Sequence, residues 1–407
     1  MSNSQREVAQ DSIKLPAGVS IPSHVPPDRV VDVDIYNIPG AERDLHESWR
    51  HIQQSHRYRI LWSTANGGHW IATRAAEITA VFADHTHYSS RITIVPRKWG
   101  ELFPLRPTTL DPPEHRPYRK IMTAALSRKQ LQAYEPGIRR IVIETIEAIQ
   151  DRGQCEFIQD VAARIPNRIF LSMAGIPEQQ IVQLPGYGES PNASDIPVMD
   201  RYANFLRPWV RSRQSEPGAD LLSQLVAGAL DGRPLMEDEA LELSTAMLTG
   251  GIDTVISQLG FIMGFLAQNP LHLQQLVDDR SLIAPAIQEF IRRFPIMTKA
   301  RLIQSDQELD GVRLKRGDMI VLPPLQGLDD EVFISPMEVD FRRQANVNAT
   351  FGNGVHLCPG AYLAQLEMEI FLSEWINRIP AFRLQPDSFP KMSSGILGAM
   401  LEVKLRW

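Results

Sequence analysis

The chain has 407 residues, of which 43% are apolar and 22% charged, so it can bury a large core. Its net charge of −6 argues against an overall attraction to nucleic acid or to anionic lipid. Two cysteines, Cys155 and Cys358, are too few for a disulfide framework and indicate a reducing compartment, so we expect a cytoplasmic protein.

The N-terminal residues show no basic segment followed by an apolar one, so no secretory signal is predicted. No uncharged apolar run reaches the roughly 18–20 residues needed to cross a bilayer, so no membrane partner is expected. We expect residues 1–21 to form a flexible arm and residues 22–407 to form a single domain, with no feature that calls for an oligomer.

Two segments have the pattern of β-structure. Residues 59–74 are predicted to form a hairpin around Asn66-Gly67-Gly68, a turn that tolerates positive φ. Residues 301–323 form a second β region, with Asp310-Gly311 as the tight turn. The β part is therefore expected to be the smaller part of the fold.

Helical patterns dominate the rest of the chain, because apolar residues recur there at spacings of three and four. The longest predicted helix runs from about Glu237 to Ala267 and is interrupted by Gly250-Gly251. The other predicted helices cover residues 128–150, 167–175, 218–230 and 361–376. The fold class predicted is mainly α with a smaller β part.

Cys358 lies in the segment FGNGVHLCPG, residues 351–360, directly before a predicted helix. Gly352, Gly354 and Gly360 allow sharp turns and leave room for a flat, bulky group. A lone thiol can be a nucleophile, a metal ligand, a redox switch or a small buried apolar residue. The helix N-terminus is expected to favour a thiolate, and no further ligands at zinc spacing stand nearby. A thiolate bound to a single large cofactor fits this segment best.

The pattern F-x-x-G-x-H-x-C-x-G, formed by Phe351, Gly354, His356, Cys358 and Gly360, resembles the haem-binding loop of the cytochrome P450 family. The resemblance implies the P450 fold, with haem b between the long central helix and the cysteine-loop helix and with O2 as co-substrate. Cys358 would be the thiolate ligand of the iron, and His356 would bond a haem propionate. The resemblance also places Phe351, Gly352 and Gly360 in the cofactor site.

The segment GGIDT, residues 250–254, resembles the oxygen-binding groove of the same family. Each glycine inside a helix costs about 0.5–1 kcal/mol relative to alanine, and close helix packing is the ordinary explanation for such a residue. The resemblance implies instead that Thr254 bonds the bound oxygen and that Asp253 passes protons inward.

Glu289 and Arg292 form an E-x-x-R pair, and most pairs at this spacing are surface salt bridges. The resemblance implies that this pair is buried and joined by Arg343, so that the three residues hold the cysteine loop. It also implies that Arg119 and Arg301 bond the haem propionates.

The resemblance extends from about residue 22 to residue 407 and is strongest to the bacterial camphor-hydroxylating branch of the family. It places these residues in the substrate pocket: Ile94, Phe103, Leu105, Thr108, Ala246, Gly250, Met297 and Ile396. Phe103 stands where that branch has a tyrosine that bonds the substrate ketone, and Lys299 stands where it has an acid. We therefore expect a small hydrophobic, terpenoid-like substrate, an ionone-type norisoprenoid rather than camphor.

No flavin or iron–sulfur motif is present, so electrons are expected from outside. The resemblance implies a [2Fe–2S] ferredoxin fed by an NADH-dependent ferredoxin reductase. The candidate docking residues are Arg74, Arg116, Arg119, Arg342 and Arg343. The function predicted is a haem-dependent monooxygenase. The alternatives are a haem-thiolate isomerase or sensor without oxygen activation, against which Asp253 and Thr254 argue, and a helical binding module with a structural cysteine.

Overall fold

The computed structural model describes residues 21–102, 104–184, 197–344 and 350–407. The predicted N-terminal arm therefore lies, apart from Ile21, outside the described residues, and so does Phe103 of the predicted substrate pocket.

The described ranges contain thirteen α-helices, which confirms a mainly helical protein. They are α1 (Leu45–Ser55), α2 (Ala75–Ala83), α3 (Arg97–Gly100), α4 (His115–Ala125), α5 (Arg128–Gln150), α6 (Arg164–Met173), α7 (Pro197–Ser215), α8 (Leu221–Val226), α9 (Glu237–Gly251), α10 (Asp253–Gln268), α11 (Pro270–Asp278), α12 (Ile283–Arg293) and α13 (Ala361–Arg378).

Fifteen short strands in the same ranges form the smaller β part. They are β1 (Val30–Val31), β2 (Ile60–Ser63), β3 (His69–Ala72), β4 (Tyr88–Ser89), β5 (Gln154–Glu156), β6 (Ala229–Leu230), β7 (Arg233–Pro234), β8 (Lys299–Ile303), β9 (Gln307–Leu309), β10 (Val312–Leu314), β11 (Met319–Leu322), β12 (Arg383–Leu384), β13 (Lys391–Ser393), β14 (Ala399–Glu402) and β15 (Lys404–Arg406). The largest sheet has six strands in the order β1-β2-β3-β11-β8-β4.

Both predicted β regions are confirmed, and the largest sheet joins them. Strands β2 and β3 pair antiparallel across a turn in which Asn66 has a φ of 51°. Asp310 and Gly311, with φ of 50° and 70°, form the turn between β9 and β10. Strand β11 pairs antiparallel with β8 and parallel with β3, a long-range contact that no local pattern predicts.

The long central helix is present as two helices, α9 and α10, separated at Ile252, where ψ is −72°. By length and composition Glu237–Gln268 could cross a membrane, but 72% of its most apolar window is buried inside the protein, as in a core helix. Helix α10 contacts α13, the helix that follows the cysteine loop, so the two expected walls of the cofactor site are neighbours.

The prediction of one helix over residues 218–230 is wrong at its C-terminal end. Helix α8 ends at Val226, and residues 229–230 form strand β6 of a small hairpin with β7. Asp231 and Gly232 adopt positive φ, of 50° and 83°, and reverse the chain there.

Candidate haem site

The cysteine loop is a tight turn that ends at the N-terminus of α13. The Cys358 N–H donates to the Phe351 carbonyl oxygen at 2.9 Å. Gly352 and Gly354 have φ of 75° and 66°, conformations that L-residues with a side chain rarely adopt. A Cβ on Gly354 would lie 3.0 Å from the Phe82 carbonyl oxygen, so this glycine is required for packing against α2.

Gly360 leaves the space beside the sulfur open. The nearest atom that a Cβ at Gly360 would meet is the Cys358 Sγ, at 4.0 Å. The open space that we expect for a flat group is therefore present at Gly360. At Gly354 the corresponding space is occupied by the backbone of α2.

Opposing effects act on the Cys358 thiol. Burial raises its pKa. The pKa is lowered by hydrogen bonds from the N–H groups of Gly360 and Ala361 and by the charges of Arg119 and Lys299. Burial is the larger effect on the pKa of the free thiol, although the N–H groups at the helix N-terminus favour the thiolate, as expected. A bound metal ion deprotonates a coordinating thiol outright.

Three cations lie beside the cysteine loop, and none of them has an ion-pair partner among the described residues. Among the described residues, no carboxylate lies within ion-pair distance of Arg119, Lys299 or Arg301. Arg301 is 4% exposed, and its guanidinium donates to the Ala300 carbonyl oxygen at 2.9 Å. Arg119 donates to the carbonyl oxygen of Leu357 inside the cysteine loop. Burial lowers the pKa of Arg301 to about 10 and that of Lys299 to about 8.

Two histidines complete the same cluster. The His356 ring lies 4.4 Å from the ring of His115, between centroids. The Nε2 of His356 and both ring nitrogens of His115 are buried and have no hydrogen-bond partner in the part of the chain that the structure describes. Burial lowers the pKa of His356 to about 3 and that of His115 to about 4, so both rings are neutral at pH 7. Sequence reasoning missed His115, although it lies four residues before Arg119 on the same face of α4.

These residues fit a haem group. Buried cations and buried ring nitrogens without partners are costly, and the two propionates of haem supply carboxylate acceptors for them. The described residues contain no group of three or more His, Cys, Asp or Glu side chains placed to hold a metal ion. A metal bound by Cys358 would therefore need its remaining ligands from a cofactor.

The junction of α9 and α10 borders open space. Gly250 and Gly251 are exposed although they lie between buried stretches of the central helices, and a Cβ on either would meet nothing within 4 Å. Close helix packing therefore does not explain these glycines. The Thr254 hydroxyl donates to the Gly250 carbonyl oxygen at 2.8 Å across the helix break. Burial raises the pKa of Asp253 to about 6.

The structure places the predicted substrate-pocket residues on two sets of contacting segments. Met297 pairs with Leu397 in a β-bridge next to Ile396. The Ala300 N–H donates to the carbonyl oxygen of Thr93, next to Ile94, at 2.8 Å. An ion pair of 2.6 Å between Arg106 and Glu242 ties the segment that carries Leu105 and Thr108 to α9. Ala246 and Gly250 lie one turn apart on α9.

The E-x-x-R pair is buried. Glu289 and Arg292 are both 0% exposed and lie 2.8 Å apart, and the Arg343 Nε lies 3.1 Å from Glu289. Arg292 also donates to the carbonyl oxygens of Gly327 and Pro336, at 2.6 and 2.7 Å. The surface salt bridge that is typical of this spacing is therefore absent at this position.

Comparisons with known proteins show to which family the chain belongs. Residues 198–402 match a family model described as Cytochrome P450. The chain is 30% identical to the probable cytochrome P450 127A1 of Sinorhizobium fredii, over 95% of this chain and 97% of that protein. It is 32% identical to a steroid C26-monooxygenase of Mycobacterium tuberculosis, over 68% of this chain and 78% of that protein.

The solved structure of CYP101J2 has the same fold, with a TM-score of 0.89 and 36% sequence identity over 95% of this chain and 99% of that one. The predicted P450 fold is thereby confirmed. The chain belongs to the cytochrome P450 family of haem-thiolate monooxygenases.

Proposed function

We propose that this P450 monooxygenase hydroxylates a small hydrophobic, terpenoid-like molecule with electrons from a [2Fe–2S] ferredoxin. The family uses haem b, and thiolate-ligated haem activates O2 so that one oxygen atom enters the substrate. The observation that carries the proposal is the cluster of three cations beside Cys358 and His356, with Arg301 buried, for which the described residues supply no ion-pair partner.

Cys358 is proposed as the axial ligand, and the cation cluster as the site of the propionates. Arg119, Arg301 and His356 are the predicted propionate partners, and His115 is added to them by its position against His356. Phe351, Gly352 and Gly360 shape the loop that presents the sulfur, and the network of Glu289, Arg292 and Arg343 holds that loop in place.

Asp253 and Thr254 are proposed as the proton-transfer pair. The Thr254 hydroxyl holds a hydrogen bond to Gly250 that a ligand in the adjacent open space can replace. Because the pKa of Asp253 is about 6, its carboxyl can both hold and release a proton near neutral pH. An isomerase or sensor needs no such pair, so oxygen activation is the favoured function.

The first test is the absorption spectrum of the reduced, CO-bound protein beside Cys358→Ala. A strongly red-shifted Soret band in the unmodified protein and its loss in the variant would support thiolate ligation by Cys358. An imidazole-like spectrum, or an unchanged red-shifted band in the variant, would contradict the assignment of Cys358.

The substrate proposal depends on the pocket residues and on the absence of a tyrosine hydroxyl at Phe103. Losing a hydrogen bond to a substrate carbonyl weakens binding by roughly 1–3 kcal/mol. We expect β-ionone to bind more tightly than camphor and to give the larger spin-state shift. Tighter binding and a fuller shift with camphor would contradict this proposal.

Fewer arginines are proposed for the ferredoxin contact than the sequence predicted, because two of the candidates are held in ion pairs. Arg74 is paired with Asp329 and Asp330, at 3.2 and 3.0 Å, and Arg343 is paired with Glu289, whereas Arg116 and Arg342 are exposed. Ferredoxin-supported turnover should fall as ionic strength rises, because exposed charges are screened. Turnover that is independent of salt would rule out this electrostatic docking. A soluble, cytoplasmic monomer is part of the same proposal.

A further inference from the structure

A cleft away from the proposed haem site contains a buried cation that has no ion-pair partner among the residues described. The cleft has a volume of about 740 Å³, which lies within the range of small-molecule sites. Its walls come from the turn before α1, the C-terminal half of α10, the end of α12 and strands β13–β15 with the loop before them. Phe261, its first residue on α10, lies about 10 Å along the helix from Thr254, at 1.5 Å per residue.

The floor of the cleft is aromatic. The rings of Phe261 and Phe294 are stacked with centroids 5.7 Å apart and an interplanar angle of 12°. The His46 ring meets both edge-on, at 5.0 and 5.4 Å. At the rim, Phe389 is 78% exposed, which is unusual for a large apolar side chain. An apolar body can therefore contact aromatic surface from the floor to the rim.

Arg293 supplies the cation. It is 8% exposed, its Nε donates to the Met337 carbonyl oxygen at 2.7 Å, and its Cζ lies 4.7 Å from the Phe294 ring centroid. Its Nη1 is buried, and the described residues offer it neither a hydrogen-bond partner nor a carboxylate within ion-pair distance. The neighbouring Arg292, by contrast, donates from all three of its nitrogens.

Two carboxylates of the cleft, those of Asp44 and Glu402, already have partners. Asp44 accepts the N–H groups of His46 and Glu47, at 2.9 and 3.0 Å, as the N-cap of α1. Glu402 pairs with Lys391 and Lys404, at 2.8 and 3.3 Å. A carboxylate from a ligand would match the planar guanidinium of Arg293. Because Asp44 and Glu47 act on the same guanidinium, a monoanion suits the site better than a dianion.

We propose that this cleft is a second small-molecule site, which binds a hydrophobic monocarboxylate with its carboxylate on Arg293 and its apolar body on Phe261, Phe294 and Phe389. It is independent of the substrate pocket beside Gly250, so its occupancy does not require the proposed substrate or redox partner to be correct.

The test uses 2-naphthoate and its neutral counterpart 2-naphthamide, titrated by calorimetry into the haem-loaded full chain. A phenylimidazole on the haem blocks the substrate pocket, and a constant Soret band during the titration confirms that the pocket stays blocked. We expect 2-naphthoate to bind at least tenfold more tightly than 2-naphthamide. No binding of 2-naphthoate, or equal binding of the two compounds, would overturn the proposal.

Two variants test the site by different routes. Arg293→Gln removes the cation. Gly264→Leu places a side chain in the cleft, which Gly264 lines. The fold should tolerate this change, because a Cβ on Gly264 has only ordinary contacts of 3.6 Å with Met400 and Pro390. Each should weaken 2-naphthoate binding at least tenfold, and Gly264→Leu remains informative if Arg293→Gln fails to fold. Arg313→Gln is the matched control, because Arg313 is exposed on strand β10, outside the cleft, and its loss should leave 2-naphthoate binding unchanged. Unchanged binding in a folded Arg293→Gln or Gly264→Leu protein would refute the site.

Discussion

Glu289→Ala should destabilise the protein far more than the loss of an ordinary ion pair. The Glu289 carboxylate accepts from the Arg292 Nε and Nη2, both at 2.8 Å, and from the Arg343 Nε at 3.1 Å. It also accepts the Asp340 N–H at 2.9 Å. Alanine leaves all these donors without that acceptor, and Arg292 is fully buried.

The expected magnitude follows from that burial. Removing one partner of a buried ion pair costs about 3–5 kcal/mol, because the remaining charge is left uncompensated. For a chain of 407 residues, whose entropy of unfolding is about 0.85 kcal/mol per kelvin, this lowers the Tm by about 4–6 °C. Glu289→Gln keeps one acceptor and the shape of the side chain, so its loss should be smaller.

The assay is thermal unfolding of the haem-loaded protein followed by circular dichroism, with the CO spectrum as a reading of the cysteine loop. Glu101→Ala is the matched control, because Glu101 and Arg97 lie 2.8 Å apart but are 51% and 49% exposed. Such a surface pair contributes about 0–1 kcal/mol, so the control should unfold within about 1 °C of the unmodified protein. Equal Tm values for the two variants would show that the burial of Glu289 does not determine how much its ion pairs stabilise the protein.

Two further predictions concern the haem site. Burial raises the pKa of Asp253 from 3.8 to about 6, so its stabilising contribution is complete below pH 4 and is lost as the pH rises through 6. Asp253→Asn should therefore be more stable than the unmodified protein at pH 8, by up to about 3 kcal/mol in urea unfolding, with no difference at pH 4 and with turnover lowered about 10²-fold. The same gain at both pH values would contradict this. Arg301→Gln should lose haem to apomyoglobin at least tenfold faster, since a charged hydrogen bond contributes about 1.5–3 kcal/mol, whereas the exposed Arg313→Gln should not.

Local features of the fold and of the site were predictable from the sequence, because they depend on residues that are neighbours in the chain. The turns at Asn66-Gly67-Gly68 and Asp310-Gly311 require positive φ, and residue type alone indicates that. The interruption of the central helix and the start of a helix after Cys358 follow from glycine positions and apolar spacing. Family resemblance then assigned roles to residues whose chemistry alone left several alternatives open.

Residue burial and long-range pairing were not predictable in this way. The spacing of Glu289 and Arg292 favoured a surface pair, and only packing against residues 327–343 makes it a buried network. Likewise, the helix N-terminus at Cys358 favoured a thiolate, but burial by distant segments is the larger effect on the thiol.

By itself, the sequence determined the fold class, the cysteine loop and the Asp253-Thr254 pair at the helix break, since these depend on backbone preferences and fixed spacings. Only the tertiary structure decided that His115 meets His356, that Lys299 joins Arg119 and Arg301 without an ion-pair partner among the described residues, and that Arg293 lines a separate cleft. The physical reason is that the free energy of a charge depends on its solvent exposure and on its partners. Segments far apart in the chain determine both.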